Sequence, residues 1–335
     1  MNIAPLSPRP PEISVAEPIT PAYERVKQML FRPFDLGKWF TIGFCAWLAA
    51  LGEAGGFNGG SFNNGSNHHY NNGSSLGETL QQGYYQSRDY VLSNIAWIAP
   101  LAIFVVLLTL TLWVVMVWLS SRGKLMFLHC IATNKAEVQQ PWTHYAGVAN
   151  SLCWFRLGLG VVGMVVMLPL MALIAIIILK MVMAGEANAP AIMLAVGLFM
   201  VFLLLAVVFG IIQKFLEDFV VTILFLRGGT CCSAWREFGG LLMARPGQFA
   251  LYILFQIVLA MVIGTLVLFA VLLTCCIAGC VMALPYVGTV LLLPVLIFKR
   301  SYALYYLAQY GPQYDVFPKL PPPPPAPSAL VPLVG

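Results

Sequence analysis

The chain has 335 residues, of which 60% are hydrophobic and only 9% are charged. Its mean hydropathy is +0.84, whereas a soluble domain carries roughly 25% charged residues. This composition excludes a cytosolic enzyme, a secreted disulfide scaffold and a disordered regulator. The net charge of +5 does not indicate nucleic-acid binding, because the basic residues stand singly at the ends of apolar runs. The composition therefore predicts a membrane protein.

The first residues contain prolines and polar groups instead of a compact apolar core behind a basic start. We therefore expect no cleavable signal and interpret residues 1–21 as a disordered cytoplasmic tail. A membrane domain is expected over residues 22–310, with a flexible, Gly/Asn/Ser-rich outer loop at residues 52–93. The lipid bilayer is its first expected partner.

Apolar runs long enough for a membrane helix follow, since a bilayer core of about 30 Å needs roughly 20 helical residues. The first is shorter than the others and ends in glycines, so it is either a span or a re-entrant hairpin. The sequence predicts an all-α transmembrane bundle with six spans. These are Trp39–Phe57, Ile95–Leu119, Leu157–Met183, Ala191–Ile212, Phe249–Cys276 and Ile277–Phe298.

The distribution of Lys and Arg predicts the orientation of this bundle. With six spans, 16 of the 18 basic residues lie on the side of the two termini, and only Arg88 and Lys180 lie on the other side. Cytoplasmic loops carry such an excess of positive charge. We therefore expect a multi-pass protein of the inner (cytoplasmic) membrane with both termini in the cytoplasm.

Three basic and aromatic stretches each lead directly into a predicted span: Ala22–Trp39, Pro141–Arg156 and Ala234–Tyr252. Tryptophan, phenylalanine and arginine at helical spacing are typical of helices that lie in the membrane interface. The pattern fits a threefold repeat of an interfacial helix plus a transmembrane hairpin. It also fits three unrelated stretches that each place interface aromatics before a span, without any duplication.

The C-terminal segment 311–335 is proline-rich and contains KLPPPPPAPSALVPLVG. Such a tail adopts an extended polyproline II conformation. It is either a solvated tail or a docking segment for an aromatic groove on a partner protein. The sequence does not determine the oligomeric state.

Three stretches carry a resemblance to known proteins: FRPFDLGKWFTIGFCAWLA, SRGKLMFLHCIATNKAEVQQPWTHYAGVANSLCWFRL and EDFVVTILFLRGGTCCSAWREFGGLLMARPGQFALYILF. The chain resembles a group of uncharacterised prokaryotic multi-pass membrane proteins. These are loosely similar to the membrane domains attached to some glycerophosphodiester phosphodiesterases. The motifs concern packing and the interface, so the resemblance implies no catalytic residue, and the soluble phosphodiesterase barrel is absent from this sequence.

No motif for hydrolysis, nucleotide binding or metal binding occurs, and the centres of the second to sixth predicted spans lack Asp, Glu, Lys, Arg and His. We therefore expect no catalytic, cofactor-binding or metal-binding residues, no cofactor and no enzyme activity. Glu217 and Asp218 follow Lys214 at helical spacing and are expected to form an ion pair. Whether the outer cysteines Cys275, Cys276 and Cys280 form a disulfide is left open.

Two functions fit these observations. The first is a non-enzymatic protein that organises or anchors something at the membrane through its interfacial helices and proline-rich tail. The alternative is a transporter or lipid-handling protein for an apolar substrate, because such a cargo does not require buried charge.

Overall fold

A computed structural model describes residues 13–51, 76–184, 189–274, 277–282 and 284–317, and every regular element in these ranges is helical. The all-α prediction is therefore confirmed for this part of the chain. Most of the predicted outer loop and proline-rich tail, Cys275 and Cys276 lie outside the described residues. The helices are α1 (Ile19–Leu30), α2 (Leu36–Ala50), α3 (Leu76–Ser93), α4 (Ile95–Thr133), α5 (Gln139–His144), α6 (Ala146–Ala184), α7 (Ala189–Phe215), a π-helical turn (Leu216–Val220), α8 (Val221–Arg227), α9 (Cys231–Ala244), α10 (Pro246–Leu273), α11 (Ile277–Met282), α12 (Pro285–Leu291) and α13 (Leu293–Ala308).

Four helices within the described ranges are long and apolar enough to cross a membrane: α4, α6, α7 with its continuation through α8, and α10. Their most apolar windows are at most 6% buried inside the protein, as expected of surfaces that face lipid. A helix of 39 residues such as α4 is about 58 Å long and exceeds the bilayer core. We call the exposed apolar stretches the apolar arms: Ile95–Met116, Leu157–Met181, Ala189–Ile212 and Ile257–Leu273.

The opposite end of each long helix is buried in protein. Exposure along α4 falls at Val117, and the side chains from Leu125 to Leu128 are buried. The same change occurs towards the start of α6 and α10 and at the end of α7. These buried halves pack with α1, α9 and α13 into one apolar core, which we call the packed end.

The segment predicted as the first span forms α2, a helix of 15 residues that is shorter than a typical span. It runs antiparallel to the buried half of α4. Lys38 Nζ donates to Asn134 Oδ1 at 2.9 Å, and Ser120 Oγ donates to the Ala49 carbonyl at 2.6 Å. Thus α2 belongs to the packed end, and although it is apolar, its length does not confirm it as a span.

The segment predicted as the sixth span is divided among α11, α12 and the start of α13. Pro285 and Pro294 each stand in the first turn of a helix, where the missing N–H costs least. The helix therefore restarts at each proline instead of continuing. Six spans are not confirmed: the described residues provide four helices of sufficient length.

Both ends of the described chain meet at the packed end. The Ser14 backbone N–H donates to Gln309 Oε1 at 2.8 Å, and the Tyr302 hydroxyl donates to the Val15 carbonyl at 2.8 Å. The segment predicted as a tail up to residue 21 is therefore packed from residue 13, because its apolar side chains contact the core. Tyr314 is likewise buried beyond the predicted start of the C-terminal tail.

The three predicted interfacial stretches overlap α1, α5 and α9, each of which begins two or three residues earlier and places at least one residue in the interior. Ala22 and Met29 of α1, Pro141 of α5 and Phe238 of α9 are buried. A short helix thus precedes another helix three times. The helices that follow have 15, 39 and 28 residues, so the threefold repeat is not confirmed.

Candidate functional site

The π-helical turn Leu216–Val220 interrupts the helical path between α7 and α8. A π turn contains an extra residue, which rotates the following side chains, and such turns occur frequently at functional sites. Asp218 is buried here, whereas Glu217 remains partly accessible. Both carboxylates therefore lie where the apolar arm of α7 passes into the packed end.

Asp218 stands at the centre of a hydrogen-bonded chain. Lys214 Nζ lies 2.9 Å from Asp218 Oδ2, one helical turn away. The Tyr252 hydroxyl of α10 donates to the same oxygen at 2.8 Å, and Gln256 Nε2 donates to that hydroxyl at 3.0 Å. The Asp218 charge is thus held by one cation and one buried donor.

Glu217 connects two further helices to the same turn. Its carboxylate forms an ion pair with Lys124 of α4, and its backbone carbonyl accepts a hydrogen bond from Arg300 Nη1 of α13. Helices α4, α7, α10 and α13 therefore converge on one π turn. We call this group the π-turn network; it consists of Lys124, Lys214, Glu217, Asp218, Tyr252, Gln256 and Arg300.

Aromatic rings surround the buried part of this network. Phe219 lies 4.9 Å from the Tyr252 ring and stacks on Phe238 at 5.3 Å, measured between ring centroids. Tyr306 contacts the Tyr252 ring at 4.6 Å, and all four rings are fully buried. Such surroundings keep most water away from the Asp218 carboxylate and strengthen its interactions with Lys214 and the Tyr252 hydroxyl. The arrangement acts as a clamp between helices.

The sequence predicted only part of this site. The expected ion pair with Lys214 is confirmed for Asp218. The sequence patterns do not predict Lys124, Tyr252 or Arg300 as part of this site. Lys124 and Arg300 enter only the count of basic residues that predicts orientation, and Tyr252 is only one aromatic of a predicted interfacial stretch. The one sequence feature that points to the site is Lys124 itself, a single charge directly before the apolar run Leu125–Leu128.

Cysteine and histidine are the other reactive side chains in this part of the protein. Cys45, Cys130, Cys153 and Cys231 are buried free thiols, whereas Cys232 is exposed. In the ranges that the structure covers, no three His, Cys, Asp or Glu side chains come together in a way that would hold a metal ion.

We expect Cys232 to react with a maleimide at pH 8 in the folded protein, and Cys231 to remain unmodified. Burial raises the pKa of the Cys231 thiol to about 12, which leaves about one thiolate in ten thousand at pH 8. Peptide mass spectrometry after brief labelling measures both sites. A Cys232→Ser variant should lose the adduct on this peptide and a Cys231→Ser variant should keep it; rapid modification of Cys231 would contradict the packing of α9.

Comparison with known proteins gives one match. A family model covers residues 13–293, which is most of the chain and includes all four long apolar helices. No curated protein and no solved structure matches the chain. The similarity to membrane domains attached to glycerophosphodiester phosphodiesterases receives no support from these comparisons. The chain belongs to a family of unknown function, DUF7544.

Proposed function

We propose that this protein is a non-enzymatic integral membrane protein that organises or anchors a partner at the cytoplasmic face of the membrane. One observation supports the proposal: the same helices have exposed apolar arms, which suit lipid, and a closely packed end. The carboxylates of the π-turn network are occupied by cations, which suits a rigid platform better than acid–base chemistry.

We further propose six membrane-embedded segments with both termini in the cytoplasm of a prokaryotic inner membrane. The contact between Ser14 and Gln309 supports placing both ends on one side, and the excess of basic residues supports the cytoplasmic side. In this proposal the two shorter segments begin at the Ala49 end of α2, which lies beside Ser120 next to the interface, and at the α11–α12 segment, which packs against α2 through α12. A threefold repeat of short helix plus hairpin remains part of the same proposal.

Cysteine labelling tests this topology. We expect a cysteine introduced at Asn64 or Asn72 to react with an impermeant thiol reagent outside intact cells, and cysteines at Gln139 or Gly311 to be protected until the membrane is opened. Replacing Cys275, Cys276 and Cys280 by serine in the parent chain removes the native thiols expected outside. The opposite pattern would reverse the orientation, and labelling of Asn64 and Gln139 from one side would contradict a single crossing between them.

Photocrosslinking in native membranes tests the anchoring function. A photoreactive residue replacing the exposed Gln313 lies close to the proline-rich tail, and Ser93, at the end of α3, provides an exposed control position. We expect an adduct of defined mass from position 313 that disappears when residues 320–335 are deleted, and no such adduct from position 93. Crosslinks from position 313 to lipid and to the protein itself alone would contradict the partner.

A second candidate is a transporter or lipid-handling protein, favoured by the buried charges of the π-turn network beside the apolar arms, since ionisable groups near a membrane are often functional. Reconstitution with a fluorescent phospholipid tests it. Lipid movement between leaflets well above the rate in protein-free vesicles, and its loss in Asp218→Asn, would replace the anchoring proposal. Equal rates with and without protein would favour anchoring.

A further inference from the structure

Arg122 lies on α4, four residues beyond the exposed Trp118. Its guanidinium carbon is 4.5 Å from the Trp118 ring centroid and 4.9 Å from the ring of Trp142 on α5. The two indoles meet edge to face at 6.0 Å. Two aromatic faces thus hold one cation in a fixed position, an arrangement in which arginine is stabilised without a carboxylate.

No acceptor among the described residues satisfies the hydrogen bonds of this guanidinium. Nε of Arg122 is buried and has no acceptor, and no ion pair or hydrogen bond of Arg122 occurs with any described residue. The other cations at this level differ. Arg156 Nη1 donates to Ser120 Oγ at 3.0 Å, and Lys214 pairs with Asp218. Arg122 therefore retains donors for an acceptor from outside the chain.

The position of Arg122 along α4 indicates where that acceptor comes from. Trp97 and Trp118 are both exposed and lie 21 positions apart on one helix, a rise of about 31 Å that equals the thickness of a bilayer core. Tryptophan favours the two membrane interfaces. Arg122, one turn beyond Trp118, therefore lies about 6 Å past the hydrocarbon boundary, at the level of the phosphates.

We propose that Arg122, held between Trp118 and Trp142, binds the phosphate group of an anionic membrane phospholipid. A guanidinium donates two parallel hydrogen bonds to phosphate oxygens, and the neighbouring Arg156, which donates to Ser120 of α4, adds positive potential at the same level. The lipid chain lies along the exposed arm Ile95–Met116. This site is independent of whether the protein anchors a partner.

Lipid titration of the full-length protein tests the proposal. Phosphatidylglycerol is added to purified protein in a neutral detergent, with phosphatidylcholine and sodium phosphate as parallel additions, and bound lipid is counted by native mass spectrometry. We expect one preferred phosphatidylglycerol whose dissociation constant rises about tenfold in Arg122→Gln. Arg236→Gln, which removes an exposed cation from α9, should leave the constant unchanged.

Three results would overturn the site: unchanged affinity in Arg122→Gln, an equal loss in Arg236→Gln, or equal occupancy by phosphatidylcholine. If sodium phosphate at the same concentration displaced the bound phosphatidylglycerol, the site would bind free phosphate and the lipid assignment would be overturned. Hydrogen exchange of the unmodified protein provides a test that needs no variant. Changing the nanodisc lipid from phosphatidylcholine to phosphatidylglycerol should slow exchange in the peptide containing Trp142 more than in the peptide containing Arg236, and no difference would also overturn the site.

Discussion

Replacing Asp218 by alanine is expected to lower the unfolding free energy by about 3 kcal/mol. The Tyr252 hydroxyl and Gln256 amide are buried and would lose the acceptor at the end of their hydrogen-bonded chain. An uncompensated buried donor is costly. Lys214 limits the loss, because its side chain is 35% exposed and regains water when the carboxylate is removed.

Thermal unfolding followed by a maleimide dye measures this change. The parent protein carries Cys232→Ser, which removes the exposed thiol, together with the replacement of Cys275, Cys276 and Cys280 by serine. The dye then reports exposure of Cys45, Cys130, Cys153 and Cys231. A loss of about 3 kcal/mol corresponds to a decrease of roughly 6 to 12 °C in the unfolding temperature for a domain of a few hundred residues.

Two variants make the Asp218 result specific. Asp89→Ala removes a carboxylate from the exposed surface of α3 and should change stability by no more than about 0.5 kcal/mol. Asp218→Asn keeps an acceptor for Tyr252 but loses the charge that faces Lys214, so an intermediate decrease is expected. If Asp218→Ala unfolds at the same temperature as Asp89→Ala, the π-turn network does not clamp the helices.

Hydropathy located the apolar arms but not the ends of the helices. The apolar run Ile95–Leu119 belongs to a helix that continues to Thr133, and the run Ala191–Ile212 is part of a helical path that reaches Arg227. A long apolar run marks the part of a helix that suits lipid, and the run ends where the helix passes from lipid into protein. The backbone hydrogen bonds of the helix continue through that change.

Sequence patterns also predict only part of the side-chain contacts in the π-turn network. The pair Lys214 and Asp218 is local, so helical spacing alone predicts it. Lys124 lies 93 residues before Glu217 and Arg300 lies 83 residues after it, so no local pattern encodes their approach. It depends on how α4 and α13 pack, which is determined by apolar contacts throughout the packed end.

Replacing Gly123 by alanine is expected to separate α2 from α4. A Cβ atom at this position would lie 2.5 Å from the Ala49 nitrogen and 2.5 Å from the Leu48 carbonyl carbon. Both are backbone atoms, so no side-chain rotation relieves the overlap and α2 must move as a whole. The movement also breaks the bond from Ser120 to the Ala49 carbonyl.

The matched variant is Gly197→Ala in α7, where an added Cβ meets no atom within 4 Å. Gly197→Ala should stabilise its helix by up to about 1 kcal/mol through helix propensity. Gly123→Ala gains the same propensity but suffers overpacking of about 1–3 kcal/mol or more, so the two variants should shift the unfolding temperature in opposite directions. Cys45 of α2, fully buried in the native chain, should also become reactive to maleimide in Gly123→Ala alone. Equal stability of the two variants, with Cys45 protected in both, would show that α2 does not pack closely against α4.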